Sequence, residues 1–264
     1  MPAERPRVVS FFDADRTLVG QDWLLNKKFM DALVSKGLFP EKNRDAIIEN
    51  IARTQAEMKQ GQENYEEAVA RTFRLWTEGL AGQNPVDVER EGRRFAQQIM
   101  RRTPGGPVPY YYSQSLVRAM KEYGPVVMLS AAPIEVVAPL AEAMGFDHAI
   151  GTQTGVKEKK YDGRIISNCH DDKVGAARNF LKRKRWTDAK VVAFGDSRGD
   201  LLLGLSHAQF LLNPGIKVLA ETKEKGIPVI TREEYAGPEG SAAQARRGLN
   251  LLLVKKKMRE LLDG

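Results

Sequence analysis

Cysteine is almost absent: Cys169 stands alone among 264 residues, so no internal disulfide can form and a reducing cytoplasm is the simplest compartment. Histidine is nearly as scarce, and His148, His170 and His207 are too scattered to suggest a metal cluster. No apolar run approaches the length of a membrane span. Residues 1–7 carry no apolar signal core. There is no internal repeat and no low-complexity tract, which excludes solenoids and compositionally disordered chains. Acidic residues run short only in the second part of the chain. Residues 151–264 hold 22 Lys or Arg against 14 Asp or Glu, whereas residues 1–150 hold 19 against 20. The net charge of +7 therefore resides C-terminally and is read first as a solvated surface, though it also suits an anionic substrate, nucleic acid or an anionic membrane surface.

What is present is ordinary for a globular protein, with 42% hydrophobic and 28% charged residues, enough for one large domain or two smaller ones. One stretch organises it. Val8 to Phe12 is an apolar run of strand character that stops abruptly at Asp13-Ala14-Asp15-Arg16-Thr17. In open α/β sheets the carboxyl end of a strand is where ligands bind. Two acids one residue apart ask for a hard divalent cation to relieve their repulsion.

Residues 20–102 read as helix almost throughout. Apolar positions recur at helical spacing through Phe29 and Leu33, through Ile47 and Ile51, through Val69, Phe73 and Trp76, and through Val88, Phe95 and Ile99. Asn84-Pro85 reads as a cap followed by a first-turn proline. The breaker cluster over residues 103–109 is a linker, after which strands and helices alternate: a helix over 110–123, a strand over 125–130 and a helix over 134–144. Residues 146–151 form a short strand, and 155–166 a hairpin turning at Asp162-Gly163. Helices follow over 171–183, with Asp171 and Asp172 in the first turn, and from 199 to 205 and 216 to 225. Strands are expected at 190–195, 209–212 and 227–230. Residues 241–262 form an amphipathic helix. The fold class is α/β: a Rossmann-like parallel-sheet core, residues 1–19 and 106–264, with an all-helical cap of residues 20–105 inserted.

Three strands thus end in polar groups, at Asp13/Asp15/Thr17, at Ser130 and at Asp196/Asp200, while Lys173 opens a helix between the last two. Parallel strands bring such ends together. The set supplies a carboxylate nucleophile, a proton-transferring acid, hydroxyl and ammonium groups for phosphoryl oxygens, and acids for a metal ion.

In order and spacing, Asp13-Ala14-Asp15-Arg16-Thr17, Leu129-Ser130-Ala131-Ala132-Pro133, Lys173 and Gly195-Asp196-Ser197-Arg198-Gly199-Asp200 resemble the four motifs of the haloacid dehalogenase superfamily, most closely its phosphoserine-phosphatase-like branch with a helical cap. The resemblance covers residues 7–230. It implies a Mg2+-dependent phosphomonoester hydrolase in which Asp13 attacks phosphorus and Asp15 protonates the leaving alcohol, then activates water. It implies that Thr17 braces the turn beside the substrate, that Ser130 and the backbone amide of Ala131 bind a phosphoryl oxygen, and that Lys173 offsets charge on Asp13 and the phosphate. Mg2+ would lie among Asp13, the backbone carbonyl of Asp15, and Asp196, with Asp200 fixing it. Retention of an acid at Asp15 favours a phosphate ester over a halide, because an alkoxide needs a proton to leave.

Three positions depart from that pattern. Arg16 replaces a small residue, often Gly, and is expected to point outward. Ala131-Ala132 replaces paired glycines, which argues against phosphoserine itself as substrate. Asp22 lies near where those enzymes place a glutamate for the substrate amine, but equally suits a helix N-terminus. The expected partner is a phosphorylated small molecule or lipid. Nucleic acid is not expected, since Tyr110-Tyr111-Tyr112 lacks an interleaved basic pattern and Lys182 to Arg185 complement a helix C-terminus. The tail, with Leu252 and Leu253 beside Lys255 to Lys257, is read first as docking on the protein's own core, then as an oligomer contact. Peripheral contact with anionic lipid is compatible with it. The rival functions are a phosphotransferase using the same aspartyl-phosphate and a non-catalytic binding protein on the same fold.

Overall fold

The computed structural model describes residues 6–20, 24–59, 65–101, 109–110, 112–202, 204–214, 218–219, 222, 226–230 and 241–263. The linker (apart from Pro109), Asp22 and most of the helix expected over 216–225 lie outside them.

β1 (Val8–Phe12) is the middle of a seven-stranded sheet of order β4-β3-β2-β1-β5-β6-β7. Its neighbours β2 (Val126–Pro133) and β5 (Lys190–Gly195) are both parallel to it. β3 (His148–Lys157), β6 (Ala208–Leu212) and β7 (Val229–Ile230) extend the parallel set, and β4 (Lys160–Ser167) closes one edge antiparallel. All five β1 side chains are buried, as expected of a strand covered on both faces. Strand alternation divides them. Val8 and Phe12 join Val126, Met128, Val192 and Phe194 in one core layer; Val9 and Phe11 join Val127, Leu129, Val191 and Ala193 in the other. In the first layer Phe12 stacks on Phe194 at 4.2 Å and Phe194 on Phe210 at 4.8 Å. In the second, Phe11 meets Phe180 edge-on.

Between β1 and β2 the chain forms α1 (Leu24–Ser35), α2 (Glu41–Lys59), α3 (Tyr65–Leu80), α4 (Pro85–Met100) and then α5 (Ser113–Lys121). Asn84 caps α4 by accepting the Val86 N–H at 3.0 Å, and the apolar stripes of α1 to α4 merge with the first core layer through Phe29, Leu33, Trp76 and Phe95. α6 (Ile134–Met144) follows β2 and ends at Gly145 in the left-handed conformation. α7 (Lys173–Lys184) covers the second layer. The C-terminal helix (Ser241–Asp263) docks through buried Val254 and Met258, with Lys255 paired to Glu122 at 3.2 Å and the Lys190 ammonium donating to the Leu261 carbonyl. Leu252 and Leu253 remain exposed.

Four local expectations need correction. The hairpin turns at Glu158-Lys159, both with positive φ, rather than at Asp162-Gly163. Asp162-Gly163 forms a bulge inside β4: Asp162 accepts the Arg164 N–H at 3.0 Å and Gly163 takes φ 79°. Asp172 lies before α7, not in its first turn, and caps it by accepting the Gly175 N–H at 2.6 Å. The helix expected from 199 to 205 is a single 3-10 turn (Gly199–Leu201) stopped by Leu202 at φ 49°. The strand expected over 146–151 begins at His148 and runs on to Lys157.

Where α3, α6, β3 and β4 meet, Glu135 is buried at the first turn of α6. Trp76, Thr154 and Tyr161 stand around its carboxyl, but neither oxygen completes a hydrogen bond of good geometry. Burial therefore pushes Glu135 up to about 7. Since the folded state then holds this proton more tightly than the unfolded chain, stability is expected to fall as pH rises from about 4.5 to about 7, then level off, by on the order of 3 kcal/mol. Urea midpoints between pH 5 and 8 check this. Glu135→Gln should lose that slope, and an unchanged slope in the variant would reject the assignment.

Candidate active site

The first motif sits one residue beyond β1. The Asp13 N–H donates to the Phe194 carbonyl at 2.9 Å, carrying the β1–β5 ladder past the strand and fixing Asp13 at the carboxyl edge of the sheet. The chain then reverses in a tight turn: Leu18 and Val19 donate to the Ala14 carbonyl at 2.9 and 3.0 Å, and Arg16 donates to Val19 at 2.9 Å. Closing this turn requires φ 62° at Arg16, a conformation that glycine adopts more easily than any other residue. A small residue at this place thus has a backbone reason.

The other strand ends converge on Asp13. Lys173, placed at the head of α7 by the Asp172 cap, puts its ammonium 2.7 Å from Asp13 Oδ1 and also donates to Asp200 Oδ1. Asp200 is oriented by Ser197, whose N–H and hydroxyl donate to Oδ2 at 2.9 and 2.6 Å. Gly195 makes room for this, since a Cβ there would lie 1.9 Å from Asp200 Cβ. Ser130 lies inside β2, which runs on to Pro133 past the strand end expected at 130; it is buried and its Oγ accepts the Ala132 N–H at 3.1 Å, which leaves the hydroxyl proton to donate elsewhere. Ala131 is half-buried and its carbonyl accepts the Thr152 hydroxyl at 2.8 Å.

Arg16 does not point away from the site. Its Nε lies 3.2 Å from Asp196 Oδ2, while about half of the side chain stays exposed. The attraction of a neighbouring carboxylate outweighs the outward bias of a turn side chain.

The electrostatics separate the acids. Burial raises Asp13 well above the usual carboxylate range, opposed by Lys173. Burial and the neighbouring Asp200 push Asp196 up to about 7, opposed by Arg16. Asp200 is buried too, but the Lys173 ammonium and the Ser197 donors outweigh burial and hold it low. Burial would lower Lys173, yet Asp13 and Asp200 together raise it, so it stays cationic. Asp13, Asp196 and Asp200 present carboxylate oxygens within 4.8 Å of one another. An all-oxygen set of three buried acids fits a hard divalent cation. Asp15 is half-buried on the turn and its carboxylate is not in that trio. Thr17 is fully buried beneath the turn, and its hydroxyl has no hydrogen-bond partner among the described residues.

Other reactive-looking residues lie elsewhere in function. Cys169 is buried and its thiol is pushed up to about 11. His148 packs against Phe180 and Trp186, and His207 accepts the Val191 N–H at 3.0 Å through Nδ1. Sequence reasoning gave Ser197 no role within its motif, weighed Tyr112 only as part of the Tyr110-Tyr111-Tyr112 run, and passed over Asn213. Asn213 carries the same signal as the recognised acids, a polar residue just past the buried strand β6. The Tyr112 hydroxyl reaches back to the Thr17 carbonyl at 2.7 Å, and nothing local to its sequence announces that.

Known proteins share this fold. The family model described as haloacid dehalogenase-like hydrolase matches residues 10–204. A protein of Mycobacterium tuberculosis named as a probable phosphatase is 27% identical over 233 residues, spanning 87% of this chain and 77% of that protein. A Bordetella pertussis protein of unknown function is similar in structure, with TM-score 0.67 and 22% identity over 86% of this chain and 99% of that one. A phosphoserine phosphatase solved as an analogue of its phospho-aspartyl intermediate has TM-score 0.51 and 17% identity, covering 87% of this chain and 94% of that one.

Proposed function

Because the chain belongs to the haloacid dehalogenase-like hydrolases, we propose that it is a phosphatase of the phosphoserine-phosphatase-like branch and hydrolyses a phosphorylated small molecule, or a lipid phosphomonoester, through a phospho-Asp13 intermediate with Mg2+ as cofactor. The observation that carries this reading is the convergence on Asp13 of Lys173, Asp200 and Asp196, from three separate elements, at the carboxyl edge of the sheet.

In the first step an Asp13 oxygen bonds phosphorus while the ester oxygen departs and takes a proton from Asp15. In the second, Asp15 removes a proton from water, the water oxygen bonds phosphorus, and the Asp13–phosphate bond breaks to release inorganic phosphate. The buried Ser130 hydroxyl and the Ala131 N–H donate to phosphoryl oxygens, and Lys173 holds the Asp13 carboxylate and opposes the charge that gathers there. Asp13, Asp196, Asp200 and the Asp15 carbonyl would hold the cation, which when bound neutralises the carboxylates and polarises the phosphoryl group. Residues 20–105 act as a cap over the core of residues 1–19 and 106–264, and shield the reaction from water. Among the described residues no helix is long and apolar enough to cross a membrane.

Phosphate release from a panel of phosphomonoesters tests the reading. Turnover with Mg2+ is expected to vanish in excess EDTA and return with added Mg2+. Full activity in the chelator would refute the metal assignment, and transfer to added alcohols in place of water would make the enzyme a phosphotransferase.

A further inference from the structure

The turn that bears Asp13 and Asp15 is gripped from outside by two side chains that belong to none of the four motifs. Tyr112, at the head of α5, donates its hydroxyl to the Thr17 carbonyl at 2.7 Å. Asn213, just past β6, donates its amide to the Tyr112 hydroxyl at 2.8 Å and to the Arg16 carbonyl at 3.3 Å. Beside them the Leu18 carbonyl accepts the Ser113 hydroxyl at 2.7 Å and the Tyr110 N–H at 2.9 Å. Three consecutive carbonyls, of Arg16, Thr17 and Leu18, are thus all engaged from distant segments of the chain.

The network leaves no freedom in its direction. Tyr112 spends its proton on Thr17, so it can only accept from Asn213, and the Arg16 carbonyl can only accept. The Nδ2 end of an amide meets both demands; a carboxylate of the same shape meets neither. Asp13 has its own anchors in the Phe194 carbonyl and Lys173. Asp15, half-buried, belongs to the same turn: the Arg16 N–H that follows it donates to Val19, and the next carbonyls along the chain are the gripped ones.

We propose that Asn213 and Tyr112 are positioning residues that lock the peptide planes after Arg16 and Thr17 and so aim Asp15 at the leaving-group oxygen. This rests on the phosphatase reading above. Its loss falls on proton transfer and spares the nucleophile.

The test compares the full-length wild type with Asn213→Asp, Asn213→Gly and Tyr112→Phe, in Mg2+, on a simple alkyl phosphate and on p-nitrophenyl phosphate. The alkoxide needs a proton in order to leave, whereas nitrophenolate does not. For the variants, kcat/KM on the alkyl ester should fall about 10- to 100-fold, and on the nitrophenyl ester by less than about threefold. Asn213→Gly is the sharpest arm. Asn213 has φ 51°, which glycine adopts without strain, so a residue serving only the backbone bend would tolerate that change. A wild-type ratio of the two esters in Asn213→Gly, or equal losses on both esters, overturns the proposal. Amide hydrogen exchange gives a readout independent of turnover. Residues 14–19 should exchange faster in Asn213→Gly while β1 is unchanged, and unaltered exchange there also overturns it. A wild type that releases phosphate from neither ester would instead sink the phosphatase reading and leave the exchange measurement to decide the network.

Discussion

Replacing Asp13 by Asn is expected to lower kcat by at least about 10⁴-fold, because the amide keeps the shape of the carboxylate but has no anionic oxygen with which to bond phosphorus. The fold should survive. Asp13 is buried and held above its normal range mainly by loss of solvent, so an uncharged isostere removes a desolvation cost as well as an ion pair. Lys173 keeps Asp200 as a partner. Thermal melting of Asp13→Asn should therefore stay within a few degrees of wild type while turnover disappears. Acid-quenched enzyme should carry labelled phosphate in the wild type and none in the variant. A variant that retained activity within about tenfold would exclude Asp13 as the nucleophile.

Replacing Lys173 by Met should damage both stability and rate. Its ammonium is buried and compensates two buried acids, one of them 2.7 Å away. Removing one partner from such a cluster strands charge in a poorly solvated place, a change that typically costs about 3–5 kcal/mol. Part of that cost will be relieved when Asp13 or Asp200 takes up a proton, which in turn removes an anionic oxygen from the proposed nucleophile or metal ligand. Both effects point the same way, toward a loss in kcat/KM of at least about 10³-fold. Added Mg2+ should raise the melting temperature of the variant by a larger increment than that of wild type, since a cation among the three carboxylates partly replaces the missing charge. The comparison is made by melting curves with and without Mg2+. A variant with wild-type melting and kcat/KM within threefold of normal would mean that Lys173 is a solvated helix residue after all.

Much of the fold was legible because the signals are local. The buried runs of β1 and β5, and the helix of α6, appear where the hydrophobic pattern places them, at Val8–Phe12, Lys190–Gly195 and Ile134–Met144. The Asn84 cap and Pro85 start of α4 follow from backbone chemistry within four residues. The misreadings have an equally local origin. Asp-Gly is a strong hairpin signal, yet in β4 the pair is used for a bulge, and the true turn at Glu158-Lys159 tolerates positive φ without any glycine. The segment after Asp196 looks helical, but Asp200 is drawn back onto Ser197 and Leu202 breaks the turn.

The first motif divides the two levels most clearly. From its residue types alone, Asp13-Ala14-Asp15 at the end of a buried strand announces acid chemistry at the edge of a sheet, because strand burial and carboxylate chemistry are properties of neighbouring residues. Which way Arg16 faces, and what holds the turn after Asp15, could come only from the tertiary structure. Asp196 pulls Arg16 inward at 3.2 Å, and Asn213, 197 residues further along the chain, fastens the Arg16 carbonyl. Those contacts exist because β5 and β6 lie successively beside β1 in the sheet, bringing their ends within reach of its turn. Strand order is a choice made by packing and topology over the whole chain, and no short window of sequence carries it.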